Sequence, residues 1–272
     1  MRRLSRATIL VVVIIAVLVP VLWVVESSFK ESSEVFTNPW GLPKAIQWGN
    51  YRGAWKEEGL GQGFVNSAII CAATLTILLP IGTMAAYILG RYPFRGSRPL
   101  LGVFMGGMMF PNFLLVISLL TLLTSMGLND SILGVVVAYV AYSLSFTIFV
   151  LTGFFESLPK ELAEAATIDG CGHFDIFRRV MLPLVRPGII VVAIFNAIGL
   201  WNEYPLALIL LSSPEKRTLP LKIADMATNQ QYSSNWGHLF AGLVLVMLPV
   251  TIVYWLLREK IQEAMVAGAI KG

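Results

Sequence analysis

Apolar residues run along this chain in stretches too long for the core of a soluble domain, and polar residues gather between them. A helix rises about 1.5 Å per residue, so about 20 apolar residues cross a hydrocarbon core of about 30 Å. Six stretches reach that length: residues 7–25, 64–89, 100–123, 132–155, 187–211 and 239–257. Backbone groups left unpaired in lipid are costly, so each stretch is expected to be a helix. The pattern predicts an all-α integral membrane protein with six transmembrane helices. Arg2, Arg3 and Arg6 precede the first stretch, as in a signal peptide. Its apolar core is too long for one, however, and no small-residue cleavage site follows, so it is read as an uncleaved span.

The polar segments set the orientation. With the N-terminus in the cytoplasm, the inner segments hold thirteen of the 20 Lys and Arg residues, among them Arg91, Arg95, Arg98, Lys160, Arg178, Arg179 and Arg186. Basic residues favour the cytoplasmic side, so both termini are expected there. Two outer segments are long, 26–63 and 212–238, and carry turn signals at Asn38-Pro39, Leu42-Pro43 and Ser213-Pro214. They also carry Trp40, Trp48, Trp55 and Trp236. Composition leaves two readings open: a folded surface that contacts a partner, or connectors with interfacial tryptophans.

Composition agrees with the membrane assignment. Hydrophobic residues make up 56% of the chain and charged residues 13%, against about 25% charged in an average soluble protein. The net charge of +4 is a topology signal, because the basic residues sit in short clusters between spans; a nucleic-acid groove is not expected. Cys71 lies in an apolar run, Cys171 near His173 in a polar loop, and His238 far from both. One Cys and one His make no zinc site, so no metal ligands and no disulfide framework are expected. No catalytic constellation is visible either, and the chain carries no Gly-x-x-x-x-Gly-Lys-Ser/Thr loop to cradle phosphates.

The longest inner segment, 156–187, has its own pattern. Ser157 and Pro159 suit the start of a helix, Leu162, Ala165 and Ala166 are expected on one face, and Gly170 is expected to end it in the left-handed conformation. A second short helix is expected to place Phe174, Phe177, Met181 and Leu184 on one face and to end or kink at Pro183 and Pro187. The small Ala165-Ala166 face and Glu164 beside it suit docking to a partner. The alternative is packing on the membrane surface.

Glu164-Ala165-Ala166, three residues, Gly170, nine residues, Val180, one residue, then Leu182-Pro183 resembles the Glu-Ala-Ala loop of ABC importer permeases. Val180 stands where the family usually has Ile. Ala85-Ala86-Tyr87, Arg91, Phe94 and Gly96 look like the end of the second span in sugar-importer permeases, and Trp201-Asn202-Glu203 with Leu206-Ala207-Leu208 looks like their fifth. The terminal Gly268-Ala269-Ile270-Lys271-Gly272 is similar to the tail of the maltose-type second permease. The resemblance thus covers nearly the whole chain as a single permease domain, 1–272, of the type I importer fold. It implies that 156–187 is a coupling loop seated on an ATPase subunit, with Glu164 as polar contact, Ala165 and Ala166 as close-packed face, Gly170 as turn, and Val180, Leu182 and Pro183 completing the motif. It also implies a tail contact to the ATPases through Lys271 and Gly272, and an outer loop, 212–238, that probes a sugar-binding protein.

The resemblance further implies an import mechanism. The chain would sit in the plasma (inner) membrane of a bacterium or archaeon, beside a second permease subunit, two ATPase subunits holding ATP and Mg, and an extracytoplasmic binding protein. It would move a di- or oligosaccharide by alternating access without hydrolysing ATP or binding a cofactor itself. Glycerol-phosphate, a polyol or another polar solute is the alternative cargo, and the resemblance leaves open whether this subunit or the second permease makes the principal sugar contacts. Breaks and polar groups within spans mark hinges or a pathway. Pro80 and Gly82 are expected to interrupt the second span and Pro111-Asn112 the third, and Asn196, Asn202 and Glu203 are the candidate pathway residues of the fifth. Glu203 faces either the bundle interior or the outer interface. An ion-coupled transporter would be expected to show an internal repeat, and none is convincing here. A membrane enzyme would need a catalytic cluster, which is also missing.

Overall fold

A computed structural model describes the backbone of residues 2–109, 114 and 116–269. The described residues form helices and their connections: α1 (Arg2–Ser27), α2 (Glu34–Thr37), α3 (Gly49–Lys56), α4 (Leu60–Arg91), α5 (Ser97–Met109), α6 (Val116–Ser125), α7 (Ile132–Glu156), α8 (Glu161–Ile168), α9 (His173–Asp175), a π turn (Ile176–Met181), α10 (Leu182–Trp201), α11 (Pro205–Leu210), a 3₁₀ turn (Pro214–Lys216), α12 (Leu219–Ser233) and α13 (Trp236–Ala269). Among the described residues, five segments are long and apolar enough to cross a membrane: Thr8–Ser27, Leu60–Arg91, Ile132–Glu156, His173–Trp201 and Trp236–Glu259.

The third expected span, 100–123, is divided between α5 and α6. Their 13 and 10 residues reach only about 20 Å and 15 Å, each short of the hydrocarbon core. Pro111 and Asn112, expected to interrupt this span, lie outside the described residues. Pro80 does not interrupt the second span, since α4 continues through it to Arg91. Gly82, two residues on, lets α7 approach closely: a Cβ there would stand 2.5 Å from Thr147 Cγ2. The fifth span ends earlier than expected, at Trp201, where Asn202 caps α10 and its side-chain amide donates to the Ile198 carbonyl at 2.8 Å.

The chain divides into two compact units. The first comprises Met1–Val65 and Thr218–Val253. Its segment 26–63 is folded. Lys30 is fully buried, pairs with Glu26 at 2.8 Å, and donates to the carbonyls of Asn38 at 2.9 Å and Pro39 at 3.3 Å. Asn50 donates to the carbonyls of Ser28 and Lys30, and the Trp23 indole to that of Pro39 at 2.7 Å. A buried lysine is tolerated because its ammonium is paired and its donors are satisfied. Trp40 and Trp48 remain exposed.

The second unit comprises Asn66–Arg217 and Tyr254–Gly272. Its core joins Ala86 and Tyr87 of α4, Leu151 and Phe155 of α7, Ala166 of α8, and Ile176, Met181, Val185 and Val192. The Tyr87 ring lies 5.3 Å from Phe155 and 4.9 Å from Phe177, both within aromatic contact distance. This core holds the segment after α7 against the ends of the long helices.

Candidate functional site

The 156–187 segment leaves α7 at Ser157, which closes that helix by donating to the Phe154 carbonyl at 2.7 Å. Ser157 and Pro159 therefore lie before α8, not in its first turn. Lys160 is the cap residue of α8, with no side-chain hydrogen bond there. Glu161 and Glu164 occupy the first turn, where the helix dipole favours negative charge. Gly170 ends α8 at φ 81°, with its N–H on the Thr167 carbonyl and the Cys171 N–H on the Ala166 carbonyl, both 3.0 Å. These are the two bonds of a Schellman stop, and the left-handed turn suits glycine.

The faces of α8 differ from the sequence expectation. Ala166 is buried against the core, while Leu162, Ala165 and Ile168 are exposed, Ile168 at 87%. Successive helical residues point about 100° apart, and α8 is turned so that Ala166 faces the core and Ala165 does not. Ala166 anchors the helix; Leu162, Ala165 and Ile168, three residues apart, form the outward apolar stripe, with exposed Glu164 beside it. Ile168 was not singled out by sequence, although its i+3 spacing from Ala165 was the available signal.

Behind α8, Arg91 at the end of α4 donates to the carbonyls of Leu158 at 2.7 Å and Pro159 at 3.0 Å. These carbonyls follow the end of α7, where helical partners run out. The planar guanidinium reaches both.

After Gly172 the chain turns into the long helix His173–Trp201. Pro183 does not end it: the preceding turn, Ile176–Met181, is π-helical. A π turn bonds i to i+5 and inserts one residue, re-phasing the helix so that a missing proline N–H is accommodated. The buried positions are Ile176, Met181, Val185 and Val192. The expected face of Phe174, Phe177, Met181 and Leu184 is thus corrected: Phe174 and Leu184 are exposed, because the inserted residue moves Val185 into register. Val180 and Leu182 are half-buried and Pro183 is exposed. Pro187 also lies inside α10.

Elsewhere in the same unit, α5, α7 and α10 line a partly open cavity of about 340 Å³. Its wall combines the rings of Tyr142, Phe146 and Phe195 with Ser143, Asn196 and Glu203. Asn196 is buried and donates to Thr147 Oγ1 at 3.1 Å and the Val192 carbonyl at 2.9 Å, which leaves its amide oxygen as an acceptor. Glu203 faces the interior. Its Oε1 accepts the Leu206 N–H at 2.7 Å, and its Oε2 accepts the Ala207 N–H at 3.0 Å and the Tyr139 hydroxyl. The carboxylate therefore caps the first turn of α11 and is satisfied where it lies. Of the three candidate pathway residues, Asn196 and Glu203 come together here. Asn202 is exposed and does not line the cavity. Lys271 and Gly272 lie outside the described residues.

Residues 78–259, from mid-α4 into α13, match the family described as the binding-protein-dependent transport system inner membrane component. This chain belongs to that family. The permease is 39% identical over 257 residues to the diacetylchitobiose uptake system permease protein NgcG of Streptomyces coelicolor, covering 94% of this chain and 85% of that protein. It is 32% identical over 255 residues to the trehalose transport system permease protein SugB of Mycobacterium tuberculosis, covering 94% and 93%. Its fold superposes on a chain of a bacterial ABC transporter that imports the acidic polysaccharide alginate, with a TM-score of 0.80 and 23% identity over 94% of this permease and 95% of that chain. The type I permease fold follows, and the family match encloses both α8 and the cavity.

Proposed function

We propose that this permease is one of two membrane subunits of an ATP-driven importer that brings a di- or oligosaccharide into the cytoplasm. The observation that carries the reading is the presentation of α8: Ala166 locks it to the core, and Glu164, Ala165 and Ile168 face outward on its free side. That face suits a cleft on a separate ATPase subunit, where Glu164 would meet a cation and the stripe would be buried. Gly170 sets the turn, and Val180, Leu182 and Pro183 hold the following helix at its angle. ATP and Mg belong to the ATPase pair, and a contact of the tail residues Lys271 and Gly272 with that pair is part of the same proposal.

The membrane arrangement completes the reading. In this reading the chain crosses the membrane six times, the third time through α5 and α6 together, and both termini and the 156–187 segment are cytoplasmic. Segments 26–63 and 212–238 then face the binding protein that delivers the sugar. Relatives named for diacetylchitobiose and trehalose uptake support a saccharide cargo. The cavity suits it too: aromatic rings match the apolar faces of a sugar, and the Asn196 oxygen and Ser143 hydroxyl match its hydroxyl groups. Alternating access follows if the sugar-loaded binding protein and ATP each favour one arrangement of the spans.

The test is uptake of labelled oligosaccharides by cells lacking this chain. Loss of saccharide uptake, restored by the wild-type chain and unrestored by Glu164→Lys, is expected. Undiminished uptake of every saccharide tried, with loss of glycerol-phosphate or polyol uptake, would overturn the cargo.

A further inference from the structure

Residues 212–217, which lead out of α11, are gripped by one side chain from another part of the second unit. Asp130 ends the short connection between α6 and α7, immediately before the cap residue Ser131. Its Oδ1 accepts the N–H groups of Ser212 at 2.9 Å and Ser213 at 3.1 Å, and its Oδ2 accepts the Ser213 hydroxyl. The Lys216 ammonium donates to the Asp130 carbonyl at 2.6 Å and to Oδ2 at 3.1 Å. Asp130 holds φ at 45°, a left-handed conformation that Asp and Asn tolerate better than most residues. From beneath, Asn66 donates to the carbonyls of Glu215 at 2.8 Å and Arg217 at 3.0 Å. Lys216 already fills the place a bound cation would take.

The grip has a counterpart at the other end of α11, where Glu203 binds both the first turn of α11 and Tyr139 of α7. The stretch 203–216 is thus fastened to α7 and its leading residue at two points. The 25 residues of α7 span about 37 Å, and four residues separate its end from the start of α8. The start of α7 is firm as well: Ser131 Oγ accepts the Gly134 N–H at 2.9 Å, and a Cβ on Gly134 would meet the Leu128 carbonyl oxygen at 2.3 Å.

We propose that Asp130 is a positioning residue for transport: it makes residues 212–217 move with α7, so that docking of the binding protein on one face of the membrane and displacement of α8 on the other are mechanically one event. The proposal rests on the importer reading. It gives α7 the character of a rod, with the grip at its outer end and the coupling helix at its inner end.

The experiment is ATP hydrolysis by the purified complete transporter in nanodiscs, measured without and with increasing sugar-loaded binding protein. Asp130→Asn keeps the left-handed preference but gives up the charge and one acceptor, and turns an amide toward Lys216. Basal hydrolysis should be unchanged, while the half-saturating concentration of binding protein rises about five-fold or more, the lower end of ordinary coupling between sites. Lys216→Met should give a smaller rise in the same direction. A generally loosened fold would instead lower basal hydrolysis. A wild-type complex stimulated by binding protein, with both variants equally responsive, overturns the proposal alone. A wild-type complex that no binding protein stimulates overturns the importer reading, and the proposal with it. Should Asp130→Asn fail to assemble, Lys216→Met and Ser213→Ala decide by the same measurement, unchanged response again overturning the proposal.

Discussion

Arg91 closes the end of α7 from outside that helix, its guanidinium 2.7 Å from the Leu158 carbonyl oxygen. Together with the bond to Pro159, this fixes the point where the chain leaves the membrane-spanning helix for α8. A hydrogen bond from a charged donor contributes about 1.5 kcal/mol or more when its acceptor has no other partner. Arg91→Met should therefore leave the permease in the membrane but lower coupled uptake substantially. Arg91→Lys should recover only part, because an ammonium lacks the planar fork. Uptake normalised to the amount of permease in the membrane checks both.

The two alanines of α8 should respond oppositely to enlargement. Ala166→Leu forces three extra carbons into a packed core and should destabilise the permease by about 1–3 kcal/mol, seen as a lower thermal midpoint in detergent. Ala165→Leu enlarges an exposed position and should leave that midpoint alone while weakening retention of the ATPase subunits. Equal effects on stability would contradict the assignment of inward and outward faces.

At the cavity, Glu203 is needed chiefly as an acceptor. Tyr139→Phe removes one donor to its carboxylate and should cost about 1–3 kcal/mol of stability. Glu203→Gln should cost more, since one amide oxygen cannot accept what two carboxylate oxygens do and its NH₂ would face a backbone N–H. Thermal midpoints of the two variants and their double mutant give the order and the coupling.

The Asp130 carboxyl is held well below the ordinary carboxylate range, first by the hydrogen bonds from Ser213 and then by those from Lys216 and the Ser212 N–H. A depressed folded-state pKa stabilises the grip above the ordinary carboxylate range, and that stability is lost only as pH falls through the lower folded value. Lys216 is the charged group bound to it. Hydrogen exchange at residues 212–217, corrected for intrinsic rate, should therefore be equally protected at pH 7 and pH 5. In Asp130→Asn it should be less protected at both.

Much of this architecture was legible in the sequence for a simple reason: lipid demands long apolar helices, so hydropathy reports them directly. The stop at Gly170 was legible too, because only a few residue types accept its backbone conformation. The faces were harder. In a membrane helix Leu184 and Val185 are equally apolar, and only the π turn before them decides which is buried. Ala165 and Ala166 are chemically identical, so composition could not assign one to the core and the other to the surface. The end of α10 was hidden because Leu206-Ala207-Leu208 continues the apolar run past Asn202. The grip on Asp130 was invisible, since it joins residues more than eighty positions apart through backbone N–H groups that sequence does not display.

The central claim is that α8 joins this permease to an ATPase. The most direct measurement is purification of the tagged permease in mild detergent from its native host, as wild type and as Glu164→Lys, with the retained proteins identified by mass spectrometry. The wild type should bring down a Walker-motif ATPase and a second permease, and Glu164→Lys should keep the second permease while losing the ATPase. Recovery of the wild-type chain alone, folded and carrying out transport in liposomes without ATP, would contradict the account.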